Sequence, residues 1–246
     1  MPAVSTIAAR VLLVTGGAHR LGAAIARHAV AAGYHVAVHY HASAAAAAAL
    51  QQELSAAGGT CTLHQADFAQ PGAAAGVVDA ATQAHGRLDV LVHSAGIWGK
   101  TSLRDGDPAD VLRYTQVNVA AVYEATQRAL PWLETADGSV VTVCDAGVYR
   151  PWRDYSAYLA SKGALTQLTH TLALECAPLV RVNGVAPGLA LVPDDWDSAR
   201  IAQATARIPL RRAGTAADVA QAVLFLAAAP YITGVILPVD GGVTLR

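Results

Sequence analysis

The stretch VLLVTGGAHRLG, residues 11–22, decides the fold. Val11–Thr15 is a short apolar and β-branched run that predicts a buried strand, and residues 21–32 follow with the spacing of a helix. A glycine-rich turn between a strand and a helix is typical of a dinucleotide-binding unit, because amides at the start of the helix attract pyrophosphate. Arg20 stands where the glycine spacing would fit a third glycine, so this turn carries a long cation instead.

Strand-like runs alternate with helical runs along the rest of the chain. The further predicted strands are 34–40, 60–65, 88–94, 139–144, 180–185 and 234–239. The further predicted helices are 44–57 and segments near 72–85, 110–134, 156–176 and 216–228. This order predicts an α/β fold with a Rossmann-type doubly wound parallel sheet, formed by a single domain over residues 1–246. Ligands of such sheets bind at the carboxyl ends of the strands, where the strand order reverses.

The composition narrows the class of protein. Of 246 residues, 54% are apolar and 14% are charged, which is enough apolar material for a sizeable core. A net charge of −1 without a basic block predicts no nucleic-acid partner. The apolar runs are too short for a membrane span, and residues 1–10 lack a signal-peptide pattern. Three widely spaced cysteines fit neither a disulfide framework nor a zinc site, so we expect no metal and a cytoplasmic location.

The end of the second predicted strand indicates which nucleotide is preferred. NAD-binding sites usually carry an acidic residue about 20 positions after the glycine turn, where it holds the ribose 2′-hydroxyl. No Asp or Glu occurs between positions 16 and 52, and the strand end instead offers His39, His41 and Ser43 near Arg20. These groups could hold a 2′-phosphate and favour NADP over NAD. Ordinary loop polarity is the alternative interpretation of the histidines.

Two further segments follow predicted strands at the same edge of the sheet. Asp67 either accepts a hydrogen bond from the adenine amino group or caps the helix that follows. The small residues Ser94, Ala95 and Gly96 let the backbone approach a cofactor closely, which places Trp98 at the mouth of an active site. The alternative for Trp98 is a core or interface aromatic.

The pair Tyr158 and Lys162 carries the clearest chemical signal. Residues four apart lie on one face of a helix, one turn apart. A nearby ammonium stabilises phenolate, so Lys162 is expected to lower the pKa of Tyr158 toward the range of an acid–base catalyst. Taken alone, this spacing is common by chance on plain surface helices. The Tyr158–Lys162 spacing is more informative here because it follows a nucleotide-binding pattern earlier in the chain.

Together these motifs resemble those of the short-chain dehydrogenase/reductase family over nearly the whole chain. The matching features are the glycine turn, Asp67, Ala95-Gly96, Asn118, Tyr158, Lys162, Pro187-Gly188 and the closing segment 239–242. Within the family, the chain is most similar to the pteridine reductases. These carry Arg in the glycine turn, as at Arg20, and a His-Tyr-His stretch after the second strand, as at 39–41. They also replace the usual catalytic Ser, thirteen residues before the Tyr, with Asp, as at Asp145.

This resemblance implies a role for each matching residue. Tyr158 would donate a proton in concert with Asp145, and Lys162 would hold the nicotinamide ribose and tune Tyr158. Asn118 would help to place a water near Lys162, and Trp98 would sandwich the pterin against the nicotinamide. The implied substrate contacts are Arg20, Trp98, Asp145, Tyr158 and Leu189. The implied cofactor contacts are Gly16, His19, Arg20, Leu21, Gly22, His39, Tyr40, His41, Ser43, Asp67, Phe68, Ser94, Ala95, Gly96, Val143, Tyr158, Lys162, Pro187 and Gly188.

The implied function is NADPH-dependent reduction of a dihydropterin to its tetrahydro form, with biopterin and dihydrofolate as further candidate substrates. One alternative is an NADPH-dependent carbonyl reductase for a ketone or quinone, in which Asp145 is incidental. A second is a non-catalytic nucleotide-sensing or scaffold protein, since a fold does not by itself imply an activity.

Some positions depart from the pattern of the pteridine reductases. Ala42 stands where they often carry Arg beside the 2′-phosphate, which weakens the argument for NADPH. Gly96 replaces a pterin-contacting Ser of some members, and His93-Ser94 replaces the common Asn-Asn or Asn-Ala pair. The resemblance also implies a substrate lid over residues 189–206, a homotetramer, and an Arg246 that reaches a neighbouring active site.

Overall fold

The computed structural model describes residues 9–193 and 195–246, which form one seven-stranded parallel sheet with helices on both faces. The strands are β1 Val11–Thr15, β2 His35–Tyr40, β3 Cys61–Gln65, β4 Val90–His93, β5 Ser139–Val143, β6 Arg181–Pro187 and β7 Ile236–Val239. The helices are α1 Arg20–Ala31, α2 Ala44–Ala56, α3 Ala73–His85, α4 Ala109–Thr115, α5 Ala121–Thr135, α6 Ser156–Glu175, α7 Ser198–Thr205 and α8 Ala216–Ala228. The strand order β3-β2-β1-β4-β5-β6-β7 confirms the predicted α/β Rossmann-type doubly wound fold.

The core lies on both faces of the sheet, which explains the continuous apolar runs in the sequence. Every residue of β1 and of β4 is buried. One apolar cluster joins the sheet to α1 and α8, and includes Ile25 and Leu226. The other covers the opposite face with α3 and α5, and includes Val78 and Leu133. A central strand with no solvent-facing side has no reason to alternate apolar with polar residues.

The strand order reverses at β1, which pairs with β2 on one side and with β4 on the other. Connections leave β1 and β4 in opposite directions across the sheet. The loops that follow these two strands therefore part and leave a crevice at the carboxyl ends. The glycine turn after Thr15 and the small residues after His93 border this crevice.

The helix predicted over 110–134 is interrupted in the structure. α4 runs into a π-helical segment, Gln116–Ala120, which continues directly into α5. A π-helical turn inserts extra residues without ending the helix, so apolar spacing and breaker residues do not reveal it. The segment matters because it carries Asn118, and π-helical turns frequently occur at functional sites.

The segment expected to form a lid, residues 189–206, contains a helix that the sequence analysis did not predict. α7 begins after Asp197, whose carboxylate accepts a hydrogen bond from the Arg200 N–H at 2.7 Å. Eight residues are too few for apolar periodicity to stand out. Position 194 of the lid, and positions 1–8 at the start of the chain, lie outside the described residues.

None of the helices within 9–193 and 195–246 is long and apolar enough to cross a membrane. The same ranges hold no group of three His, Cys, Asp or Glu side chains that could bind a metal ion. Cys61, Cys144 and Cys176 are buried free thiols.

Candidate active site

The glycine turn packs tightly against the segment that follows β4. Gly16 has φ +63°, and a Cβ at this position would lie 2.7 Å from the Cα of Ala95. A Cβ on Gly22 would collide with the carbonyl oxygen of Gly16. The turn is also tied to β2, because the Gly17 N–H donates to the carbonyl of His39 at 2.8 Å. Side chains are excluded here because backbone lies against backbone.

Helix α1 begins directly after the glycine turn that follows β1. Within the described chain, His19 at the N-cap makes no side-chain capping hydrogen bond, and the first turn of α1 has no acidic residue. Such a helix start attracts anions. Arg20, the first residue of α1, has φ +53°. A left-handed backbone suits glycine and costs other residues about 1 kcal/mol, so Arg20 occupies this position at a conformational cost.

His39 has a different role from the one predicted. Its Nδ1 accepts a hydrogen bond from the Gly16 N–H at 3.1 Å, and its Nε2 donates to the carbonyl of Ala66 at 3.1 Å. The ring stacks on Phe68, with centroids 4.0 Å apart. It is 2% exposed, and burial lowers its pKa to about 4. Both ring nitrogens are therefore used by backbone groups, so His39 supports the turn and does not offer a cation to a 2′-phosphate.

The remaining groups at the end of β2 are accessible. His41 is exposed, and its Nε2 lies 3.9 Å from Asp67 Oδ2. Ser43 is the N-cap residue of α2, and among the described residues its hydroxyl makes no capping hydrogen bond. Tyr40, between the two histidines, is half-buried. The side chains of His41 and Ser43 are thus the ones available to a 2′-phosphate at this strand end.

Asp67 lies beside His41 but does not cap the helix that follows. Its Oδ1 accepts a hydrogen bond from the Ala69 N–H at 2.9 Å, within a turn after β3. α3 starts later, and its N-cap residue is Gly72. The helix-capping alternative for Asp67 is therefore wrong, and the expected contact with adenine stays a prediction.

Thr15 is a supporting residue to which the sequence analysis gave no role. Its buried hydroxyl donates to the carbonyl of Val92 at 3.4 Å and accepts from the N–H groups of Ser94 and Ala95, both at 3.1 Å. It therefore holds the chain after β4 against the end of β1. A hydroxyl residue directly before the glycine pair was the available signal.

His93 ends β4 on the buried side of the crevice. The hydroxyl of Thr126 donates to the carbonyl of Val122 at 2.8 Å, so it accepts from His93 Nε2 at 2.9 Å. Among the described residues, the buried Nδ1 of His93 has no hydrogen-bond partner. Burial lowers the pKa of His93 to about 3. The imidazole is thus neutral, and it occupies a position in the core.

Asn118 lies in the π-helical segment and is buried. Its Oδ1 accepts from the Ile97 N–H at 2.9 Å, and its Nδ2 donates to the Ile97 carbonyl at 3.0 Å. Nδ2 also donates to the hydroxyl of Ser161 on α6, again at 3.0 Å. The side chain thus holds the segment after β4 and α6 together. Its predicted part in placing a water stays a prediction.

Tyr158 and Asp145 form the central contact of the site. The hydroxyl of Tyr158 donates to Asp145 Oδ2 at 2.6 Å, while Oδ1 accepts from the Gly147 N–H at 2.7 Å. Burial raises the pKa of Tyr158, and the charge of Asp145 and this hydrogen bond raise it further. The expectation that Lys162 lowers this pKa is wrong here, because burial and a carboxylate both disfavour phenolate. Tyr158 therefore keeps its proton.

Lys162 lies one turn further along α6 and is 7% exposed. Its Nζ donates to the carbonyl of Val143, at the end of β5, over 2.8 Å. Burial lowers the pKa of Lys162, and the charge of Asp145 opposes that shift. A Cβ on Gly96 would lie 3.7 Å from the ammonium, so Lys162 borders the segment after β4. The predicted helical spacing has brought Lys162 and Tyr158 to the same end of the sheet.

The two remaining predicted substrate residues are Trp98, which follows β4, and Leu189, which follows β6. Trp98 is 58% exposed and lies parallel to Tyr155, with ring centroids 6.0 Å apart. After β6, the Gly188 N–H donates to the carbonyl of Val239, and Leu189 lines a cavity of about 510 Å³. Of the predicted substrate residues, Tyr158 bonds Asp145 and is linked to Trp98 through Tyr155, whereas the described lining of the Leu189 cavity includes none of these residues. The core alternative for Trp98 is excluded by its exposure.

Comparison with known proteins agrees with this arrangement. The family model described as enoyl-(acyl carrier protein) reductase matches residues 16–244. The crystal structure of a protein described as a short-chain dehydrogenase/reductase from Burkholderia xenovorans is 30% identical, with a TM-score of 0.88. The alignment covers 97% of this chain and 99% of that one. The chain belongs to the short-chain dehydrogenase/reductase family. It is an oxidoreductase, and enzymes of this family use nicotinamide cofactors and small-molecule substrates.

Curated relatives within the short-chain dehydrogenase/reductases differ in their named substrates. A protein described as ketoacyl reductase 2 of the granaticin polyketide synthase, from Streptomyces violaceoruber, is 36% identical. Pteridine reductase 1 of Leishmania tarentolae is 34% identical. Each alignment covers 96% of this chain and 97% of the relative. Because the two sequence identities are similar, they do not decide the substrate, which has to be inferred from the residues of the site.

The residues present fit the nicotinamide dinucleotide that short-chain dehydrogenase/reductases use. The turn at Gly16 and Gly22 excludes side chains beside the start of α1, which is where pyrophosphate binds in such folds. Lys162 presents a buried ammonium at the carboxyl edge of the sheet, beside the end of β5. The excluded space beside the turn and the start of α1 thus fit a bound dinucleotide.

Proposed function

We propose that the protein is an NADPH-dependent pteridine reductase that converts a dihydropterin to its tetrahydro form. The observation that carries the proposal is the 2.6 Å hydrogen bond between Tyr158 and Asp145. A carboxylate at this position suits a pterin better than a ketone. A pterin presents amine donors and a basic nitrogen, whereas a carbonyl oxygen that gains negative charge is better served by a neutral hydroxyl.

The cofactor, when bound, supplies the hydride that adds to a ring carbon of the substrate. The protein's task is to hold the substrate and to deliver one proton to the ring nitrogen. Tyr158 keeps its proton until the nitrogen becomes basic, because burial and Asp145 both raise its pKa. Solvent then restores the proton, so that one hydride and one proton are consumed per turnover.

The preference for NADPH rests on the end of β2. No carboxylate follows this strand that could bind a ribose 2′-hydroxyl, since positions 16–52 contain no Asp or Glu. His41, Ser43 and Arg20 supply donors for a 2′-phosphate instead. The proposal predicts a lower KM for NADPH than for NADH, and removing the imidazole with His41→Ala should narrow the difference.

The decisive assay is steady-state oxidation of NADPH by the purified protein. Dihydrobiopterin, dihydromonapterin and dihydrofolate are compared with a panel of simple ketones and quinones. Turnover of a pterin with the higher kcat/KM is the expected result. Turnover of ketones without turnover of any pterin would refute the proposal.

Carbonyl reduction is the second candidate, and the 36% identity to a ketoacyl reductase favours it. Asp145→Ser separates the two functions. Under the pteridine proposal, the substitution cripples pterin reduction. If Asp145 is incidental, the same substitution leaves ketone reduction unchanged or improves it. Asp145→Asn is the matched control, because it preserves the size of the side chain and removes the charge.

Three further features belong to the same proposal. We infer a homotetramer, with Arg246 of one copy reaching the active site of another and residues 189–206 acting as a lid. Light scattering gives the oligomeric state. Deletion of Arg246 should raise the KM for the pterin without changing stability, and an unchanged KM would count against its role. A cytoplasmic location completes the proposal.

A further inference from the structure

The segment after β4 is anchored at two points, with Trp98 between them. At the first anchor, the side chain of Asn118 bonds both backbone groups of Ile97, at 2.9 and 3.0 Å. At the second, Thr101 forms an isolated parallel bridge with Tyr155, just before α6. Anchors this close together leave the backbone of Trp98 little freedom.

Thr101 directs its polar groups toward the start of α6. Its N–H donates to the carbonyl of Asp154 at 2.6 Å, and its carbonyl accepts from the hydroxyl of Ser156 at 3.0 Å. Its own hydroxyl accepts from the N–H of Ala157 at 3.1 Å. The side chain is 5% exposed. A hydrogen bond that is buried in this way is costly to leave unmade, so it holds the segment firmly.

The middle of the segment, at Gly99, packs against the aromatic side chain of Tyr114. A Cβ on Gly99 would lie 2.7 Å from the hydroxyl oxygen of Tyr114, so the backbone passes close to that side chain. Tyr114 is buried, and its ring meets Tyr158 edge-on with centroids 6.1 Å apart. The backbone position at Gly99 therefore depends on Tyr114, which in turn packs against Tyr158.

The aromatic side chains around the segment form a connected cluster that runs from Trp98 through Tyr155 to Tyr158. The ring planes of Trp98 and Tyr155 differ by only 3°, and Tyr155 in turn meets Tyr158 edge-on at 6.5 Å. Trp152 also packs against Tyr155, with perpendicular ring planes and ring centroids 5.6 Å apart. Parallel and edge-on contacts are the favoured geometries of aromatic pairs, so these contacts stabilise the positions of the rings before a ligand binds.

We propose that Thr101 is a positioning residue for the substrate. It fixes the segment that carries Trp98 to the start of α6, so that a flat heteroaromatic ring can stack on an exposed Trp98 whose position is already set by its contact with Tyr155. The identity of that substrate rests on the proposed function, whereas the ring arrangement does not. Removing the Thr101 hydroxyl breaks only the hydrogen bond from the Ala157 N–H, while the two bonds made by the Thr101 backbone remain. We therefore expect the loss to loosen Trp98 and weaken substrate binding without breaking the hydrogen bond between Tyr158 and Asp145.

The test compares Thr101→Val, which keeps the shape and removes the hydroxyl, with Thr101→Ser, which retains it. In near-ultraviolet circular dichroism, Thr101→Val should lose the signal that Trp98→Phe also loses. For dihydrobiopterin, its KM should rise about tenfold while kcat changes by less than about twofold. Thr101→Ser should restore both, and the Kd for NADPH should stay unchanged in all three variants.

Two results would overturn this assignment. One is a Thr101→Val variant with the wild-type dichroism spectrum and KM. The other is a lower kcat at unchanged KM, which is what a partly unfolded preparation gives. If the wild type reduces no pterin, the proposed function fails by itself. The dichroism comparison, and the KM for whichever flat carbonyl substrate is reduced, then decide the role of Thr101.

Discussion

Lowering the pH from about 7 to about 4.5 should destabilise this fold by about 5 kcal/mol, because two histidines are buried in their neutral form. Burial lowers the pKa of His93 from 6.5 to about 3, and that of His39 from 6.5 to about 4. His93 donates to Thr126, and His39 has backbone partners at both nitrogens. A second proton on His39 would displace the Gly16 N–H from Nδ1, and one on His93 would place a charge at a buried Nδ1 that has no hydrogen-bond partner among the described residues.

The sign and size of the effect follow from proton linkage. Above about pH 6.5 both histidines are neutral in the folded and the unfolded chain, so they do not affect stability there. Below that pH the unfolded chain binds protons that the folded chain does not, and the free energy of unfolding falls. At about pH 4.5 each histidine accounts for a loss of about 2.5 kcal/mol. The sum is a large share of the roughly 5–15 kcal/mol that stabilises a typical protein.

Urea unfolding followed by far-ultraviolet circular dichroism at the two pH values measures this loss. His93→Asn should reduce the acid-induced loss by about 2.5 kcal/mol, whatever its effect at neutral pH. His19→Asn is the matched control, because His19 is exposed and its replacement removes no buried imidazole. If His93→Asn loses as much stability on acidification as the wild type, His93 does not resist protonation and the reasoning is wrong.

Three further predictions address the turn and the acid. Arg20→Gly removes a left-handed arginine (φ +53°) and should raise stability by up to about 1 kcal/mol in urea, while pterin turnover falls; a destabilised variant would contradict this. Gly16→Ala would place a Cβ 2.7 Å from the Cα of Ala95, so a fluorescence titration should find NADPH binding at least about tenfold weaker. Tyr158→Phe removes the proton donor and should lower kcat by about 10²–10⁴-fold, with the Kd for NADPH unchanged. A Tyr158→Phe variant with near wild-type kcat would assign the proton to another group.

The fold could be predicted because its signals are local. The βα unit at residues 11–22, and the strand and helix runs after it, are each visible within a short window. The elements that were missed are those without such a signal. The segment Gln116–Ala120 contains no Gly or Pro to mark its π-turn, and α7 is too short to show a period. The places of Tyr158 and Lys162 followed from their spacing on one helix.

The sequence by itself determined the architecture, the family resemblance and the set of side chains at the carboxyl edge of the sheet. Only the tertiary structure decided what several of them do. His39 supports the glycine turn because Gly16 and Ala66, far from it in sequence, take both ring nitrogens. Tyr158 holds its proton more tightly because burial and Asp145 both raise its pKa. Burial and hydrogen-bond partners depend on residues distant along the chain, and a spacing pattern does not contain them.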